Sequence, residues 1–203
     1  MKTGLAEIVV VLDRSGSMIS IRKDMEGGFN TFIKEQQKLP GECNVTLTQF
    51  DDKYDIVYSG KPLKDVPDLE LVPRGATALM DAIGRTINEV GARLKGTAEA
   101  ARPERVLFVI ITDGGENSSH EFTKPKINEM VTHQRTKYNW EFVYIGANQD
   151  SYGEAHGYGI ALAQNFVADE AGTSQAMHNI NIGTRSYRGG GSYIIGGTGE
   201  DPK

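Results

Sequence analysis

Two nearly continuous apolar runs of strand length, AEIVVVL (6–12) and RVLFVII (105–111), constrain this chain more than any other feature. A strand with one face in water alternates apolar and polar residues. A run with almost no polar face must be covered on both sides, as the central strands of a parallel sheet are. Each run is followed by an acid and then by small polar residues: Asp13-Arg14-Ser15-Gly16-Ser17 after the first, Thr112-Asp113-Gly114-Gly115-Glu116-Asn117 after the second.

The remaining periodicity supplies partners for these two strands. CNVTLTQF (43–50) and YDIVY (54–58) alternate more clearly and flank DDK, which suits a hairpin loop, so this pair is predicted antiparallel. EFVYI (141–145) and NFVA (165–168) complete six strands, and the last, with the fewest apolar residues, belongs at an edge. Met18, Ile21, Met25, Phe29, Phe32 and Ile33 recur at helical spacing, as do Leu79, Met80, Ile83, Ile87, Val90 and Leu94. In the first of these helices the Gly27-Gly28 pair weakens the helix locally, and close packing is its expected use. A third helix follows TKPK, with Pro125 in its first turn, a fourth starts at Asp150, and a fifth covers TSQAMHNINIGTRSY. Strands alternating with helices predict an α/β fold: an open, Rossmann-like, mainly parallel six-stranded sheet with one antiparallel strand and helices on both faces. Residues 1–187 are expected to form one domain, and 188–203, RGGGSYIIGGTGEDPK, a flexible Gly-rich tail.

Composition narrows the function classes. A formal net charge of -5 with scattered Lys and Arg argues against a nucleic-acid partner. No apolar run approaches the ~20 residues of a membrane helix, no leader segment is recognisable, and the one cysteine, Cys43, cannot form an internal disulfide. The chain reads as a cytoplasmic protein with no membrane partner; oligomeric state is left open.

Ligands of an open α/β sheet bind beyond the carboxyl ends of its strands. Both acidic loops lie there, and Arg74-Gly75-Ala76-Thr77 places another hydroxyl just before the second helix. Each residue alone has a plainer role: Ser17 and Thr77 as helix caps, Asp13 as an acceptor of loop amides, Gly114 and Gly115 as turn residues. Asp81, one turn beyond Thr77, either orients a water or is a solvated first-turn carboxylate; Glu116 and Asn117 either tune the site or, as the plainer reading, are surface loop residues. His120, His133, His156 and His178 have no spacing suited to zinc. A phosphatase built on an acid after its first strand needs a second Asp where Ser15 stands, and DRSGS is not a hydrolase nucleophile elbow. GANQDSYGEAHGYGI (146–160) is given no chemistry beyond a turn at Asn148 and a helix cap at Asp150.

Taken together, the D-x-S-x-S of Asp13, Ser15 and Ser17, the distant Thr77 and the later Asp113 in VIITDG resemble the metal-ion-dependent adhesion site of the von Willebrand factor A domain family, over roughly residues 7–145. The resemblance implies a divalent cation, usually magnesium, with manganese or calcium as substitutes, held by Asp13, Ser15, Ser17, Thr77 and Asp113. Neutral hydroxyls satisfy a hard cation without cancelling its charge, which leaves it receptive to another anionic oxygen. The implied function is a non-enzymatic module that binds a protein partner through the partner's Asp or Glu, helped by Arg14 and Arg74 if their loops face the same opening. The alternatives are a magnesium-dependent phosphoryl or ester hydrolase and a metal-stabilised structural subunit. Gly16 is expected to permit the bend that sets both serines on one side.

Overall fold

The computed structural model describes residues 1–147 and 150–195. Six strands form one sheet: β1 (Lys2–Asp13), β2 (Glu42–Phe50), β3 (Tyr54–Pro62), β4 (Pro103–Thr112), β5 (Glu141–Ala147) and β6 (Leu162–Phe166), in the order β3-β2-β1-β4-β5-β6. The two apolar runs are β1 and β4, paired in parallel at the centre from Ala6–Arg105 to Leu12–Ile111. Only β3 is antiparallel, through the hairpin with β2.

Burial on both faces explains the composition of the central strands. Ala6, Ile8, Val10 and Leu12 of β1, with Leu107, Val109 and Ile111 of β4, face one core, closed by α1 (Arg22–Gln37) and α5 (Glu170–Arg188). Val9 and Val11, with Val106, Phe108 and Ile110, face the other, covered by α2 (Leu79–Gly96) and α3 (Lys124–Tyr138). The short α4 (Ser151–Gly157), with the Asp150 carboxylate accepting from Gly153 N–H, adds Ala155 to that second core. The first helical stripe begins as a 3-10 turn (Gly16–Ile21) before α1. The expected use of Gly28 is clear: a Cβ there would come within 2.7 Å of the Met177 side chain, so glycine lets α1 and α5 approach closely.

Two expectations need adjustment. The last strand is 162–166 and not 165–168: Ala163 and Phe166 are the residues that pack inward, while the exposed Val167 accepts Asp169 N–H in the turn that leads to the Asp169 cap of α5. The start of the presumed tail is laid on the domain. Tyr193 is buried against Gly183, and the Arg105 guanidinium donates to the carbonyls of Tyr187, Gly190 and Gly191. Residues 196–203, and Asn148 with its expected turn, lie outside the described residues. Among the described residues no helix is long and apolar enough to cross a membrane.

Candidate metal centre

β1 and β4 end side by side, so the acids that follow their apolar runs reach the same edge of the sheet. Asp13 is fully buried. Its Oδ1 accepts Ser15 N–H at 2.6 Å and its Oδ2 accepts the Thr112 hydroxyl at 2.6 Å. The first bond is the turn that redirects the chain and brings the serines back over the carboxylate. Ser15 Oγ and Ser17 Oγ lie 3.1 Å apart, and Ser17 Oγ donates to Asp113 Oδ1 at 2.7 Å. Thr77 enters from the third loop: a Cβ on Gly114 would sit 3.6 Å from Ser17 Oγ and 3.8 Å from Thr77 Oγ1, so both hydroxyls converge on that glycine. All five residues singled out in the sequence are therefore in one place.

The capping role open to Thr77 and Ser17 does not hold. The residue before α2 is Ala78, with no side-chain cap bond, and Ser17 lies inside its 3-10 turn and bonds across to β4. Thr77 Oγ1 takes no hydrogen bond among the described residues; the residue is buried as a whole, but this oxygen keeps contact with solvent. Nor is Gly16 the left-handed residue of these loops. That residue is Gly75, at φ 67°, where a Cβ would also collide with Asp52; Gly16 instead donates its N–H to Gly75 O at 3.2 Å and joins the first loop to the third.

The electrostatics set this edge apart. Burial pushes the Asp13 carboxyl up to about 6, against the hydrogen bonds from Thr112 and Ser15, with the neighbouring Asp113 adding to the rise. Burial likewise raises Asp113. Among the described residues neither acid makes an ion pair. Arg14, adjacent in sequence, turns away: its Nε donates to Asp51 Oδ2 at 2.8 Å and its Nη2 to Asp55. Arg74 donates to the same Asp51 oxygen at 2.8 Å. The two arginines expected to help a partner's acid are thus already paired, and Arg14 is buried against Asp51.

The loops around the site are tied together by bonds whose partners the sequence did not reveal. Asp81 is not a solvated carboxylate; it is buried and accepts the backbone N–H groups of His120, Glu121 and Phe122, each at 2.9 Å. Glu116 accepts from Met80 N–H at 2.8 Å and from the N–H groups of Ser118 and Ser119. Asn117 bonds both ends of the Thr77 backbone. Thr112 had one legible signal, a hydroxyl closing an otherwise apolar strand.

Two carboxylates and three hydroxyls are all oxygen donors, the chemistry a hard divalent cation requires. Among the described residues no group of three or more His, Cys, Asp or Glu could hold a metal, so any ion here depends on the hydroxyls. A solvent-reachable threonine hydroxyl with no hydrogen bond among the described residues, beside two buried carboxylates without an ion pair, fits such an ion.

No family model matches the chain, and no curated protein sequence matches it either. Its likeness to solved structures is clear. Proximal thread matrix protein 1 from the mussel byssus superposes at TM-score 0.65 with 16% identity, over 88% of this chain and 45% of that one. A form of the same protein with a zinc-occupied metal-ion-dependent adhesion site gives 0.61 at 17% identity, over 88% and 45%. A von Willebrand factor type A protein from Catenulispora acidiphila gives 0.58 at 16%, over 89% and 42%, and the manganese-loaded TRAP protein of Plasmodium vivax gives 0.57 at 16%, over 87% and 73%. The fold is that of a von Willebrand factor A domain, as the sequence motifs implied. This chain spans under half the length of the mussel protein.

Proposed function

We propose that this protein is a divalent-metal-dependent protein-interaction module, with Asp13, Ser15, Ser17, Thr77 and Asp113 holding the ion and magnesium as the resident metal. The observation that carries the reading is the pair of buried carboxylates, Asp13 and Asp113, with no cationic side chain, surrounded by hydroxyls while the adjacent Arg14 serves another acid. Burying charge without compensation is costly, and a bound cation removes that cost. Zinc and manganese in the corresponding motif or domain of structural neighbours support a divalent ion.

The ion supplies an electrophilic position for one more anionic oxygen, and a partner's Asp or Glu is the protein group that fits. The chain's own residues support binding and not turnover. Both Asp13 oxygens accept hydrogen bonds, from Ser15 N–H and Thr112, so this acid is not poised as a general base toward a water. With Arg14 and Arg74 paired to Asp51, attraction for the partner's acid must come from the ion itself.

Calorimetric titration with magnesium or manganese tests the reading. One site is expected, lost in Asp13→Ala while the far-ultraviolet dichroism of that variant and of chelated wild type stays unchanged. Equal binding by Asp13→Ala would remove the assignment. Loss of the cooperative unfolding transition on chelation would favour a structural metal instead.

A further inference from the structure

We infer that Asn117 is a positioning residue for the metal centre: it carries no ligand atom but sets where the Thr77 hydroxyl stands relative to Asp113. The inference rests on the metal-binding reading above and adds a component to it.

The argument begins with how Thr77 is held. It lies in a loop, outside α2, so no helical hydrogen bonds fix its backbone. Its side-chain hydroxyl takes no partner among the described residues and cannot anchor it either. Two of the bonds that anchor it come from one residue of another loop: Thr77 N–H donates to Asn117 Oδ1 at 2.9 Å, and Asn117 N–H donates to Thr77 O at 3.0 Å, while the next amide, Ala78 N–H, donates to Asp51 O at 2.9 Å. Both Asn117 bonds originate four residues after Asp113, on the same short segment. The position of one hydroxyl is thereby tied to the loop that supplies the second acid.

The tie is reinforced on the far side. Glu116 accepts from Met80 N–H, the Ser119 hydroxyl accepts from Asp81 N–H at 3.0 Å, and Asp81 accepts from residues 120–122. These bonds join the start of α2 to the 113–122 segment whether or not Asn117 is present. Losing the Asn117 side chain therefore frees the Thr77 N–H, and with it the amide on the N-terminal side of the hydroxyl-bearing residue, while the backbone bond from residue 117 N–H to Thr77 O and the loop itself stay in place. Outer-shell groups that orient ligands typically change metal affinity by about 10–100-fold.

A two-by-two set of variants separates positioning from a general effect on the fold. Manganese binding is measured by titration calorimetry on wild type, Asn117→Ala, Thr77→Ala and the double variant, with the thermal midpoint of each chelated protein recorded alongside. In the wild-type background Asn117→Ala is expected to weaken manganese about 10-fold. In the Thr77→Ala background the same change is expected to cost under about twofold, because the hydroxyl it positions is already gone. Asn117→Asp, which keeps an oxygen acceptor for Thr77 N–H, is expected to restore binding to within about threefold of wild type. Equal weakening by Asn117→Ala in both backgrounds, or unchanged affinity in the first, overturns the positioning role and leaves the metal reading standing. A wild-type protein that takes up no manganese overturns both.

Discussion

Two acid clusters stand side by side at the same edge of the sheet. Asp13 closes β1 in register with Phe50, the residue before Asp51, so the two buried carboxylates start from adjacent strand ends. Both are fully buried, yet their solutions are opposite. Asp51 receives Arg14, Arg74 and Lys53 N–H. Burial alone would raise its carboxyl, but those hydrogen bonds and the Arg14 charge hold it below the usual range. Asp13 receives a hydroxyl and one backbone N–H, and its carboxyl rises to about 6. The same residue type, equally closed to solvent, is ion-paired in one place and left without a cationic side chain in the other. The difference lies in which way Arg14 and Arg74 turn, and it teaches that neighbouring acids of one type are told apart by which of them the cationic side chains reach.

The largest expected effect comes from breaking the finished cluster. Arg14→Ala leaves buried Asp51 with only the half-exposed Arg74 as its charged partner, and should destabilise the chelated protein by about 3–5 kcal/mol in urea unfolding. The corresponding change in the other cluster should behave in the opposite sense. Asp13→Asn removes an uncompensated buried charge, so the chelated variant should be at least as stable as wild type at neutral pH while losing at least ~100-fold in magnesium affinity, about 2.7 kcal/mol. A chelated Asp13→Asn protein as damaged as Arg14→Ala would erase the contrast.

A smaller effect tests the same contrast through protons. The folded-state carboxyl of Asp13 lies above its usual 3.8, so the native state holds its proton more tightly than the unfolded chain. That contribution is fully present below the unfolded value and is lost as pH rises through about 6. Asp51, displaced downward, contributes stability above the unfolded value that is lost as pH falls through its lower native one. The stability advantage of chelated Asp13→Asn over chelated wild type should therefore grow from pH 4 to about 6, by up to about 3 kcal/mol, and then level off. Magnesium affinity of the wild type should rise over the same interval, since the ion competes with that proton. A flat difference between the two proteins across this range would mean that Asp13 is not held protonated by its surroundings.

Much of the architecture was legible because its cause is local. The apolar runs 6–12 and 105–111 lie inside β1 and β4, and the helical stripes at 18–33 and 79–94 lie on the helices that bury them. The DDK turn does join an antiparallel pair. β6 was displaced because the apolar residues of LAQNF neither alternate nor form a continuous run, and pairing with β5 decides where that strand begins. Tyr193 sat in a Gly-rich stretch whose composition reads as a tail, yet it packs where Gly183 leaves room. At the site, the residue types in three loops were visible, but their supports were not. Asp81 bonds residues 39 to 41 positions away, and Asn117 holds a residue 40 positions back. No local period records such pairings.

What the sequence by itself determined is the part that follows from pattern: a sheet buried on both faces, its one antiparallel hairpin, and the placement of two acids and three hydroxyls on loops at one edge. Hydrophobic periodicity carries that information because burial of apolar surface is non-directional and depends on little beyond which residues are apolar and how they are spaced. What only the tertiary structure decided is the direction of charge. Nothing in D-R-S-G-S says whether Arg14 neutralises Asp13 or reaches Asp51 across the neighbouring strand end, nor that Asp81 is consumed by the backbone of a distant loop. Hydrogen bonds and ion pairs are short-ranged and directional, so their partners are chosen by which groups the packed fold brings within about 3 Å.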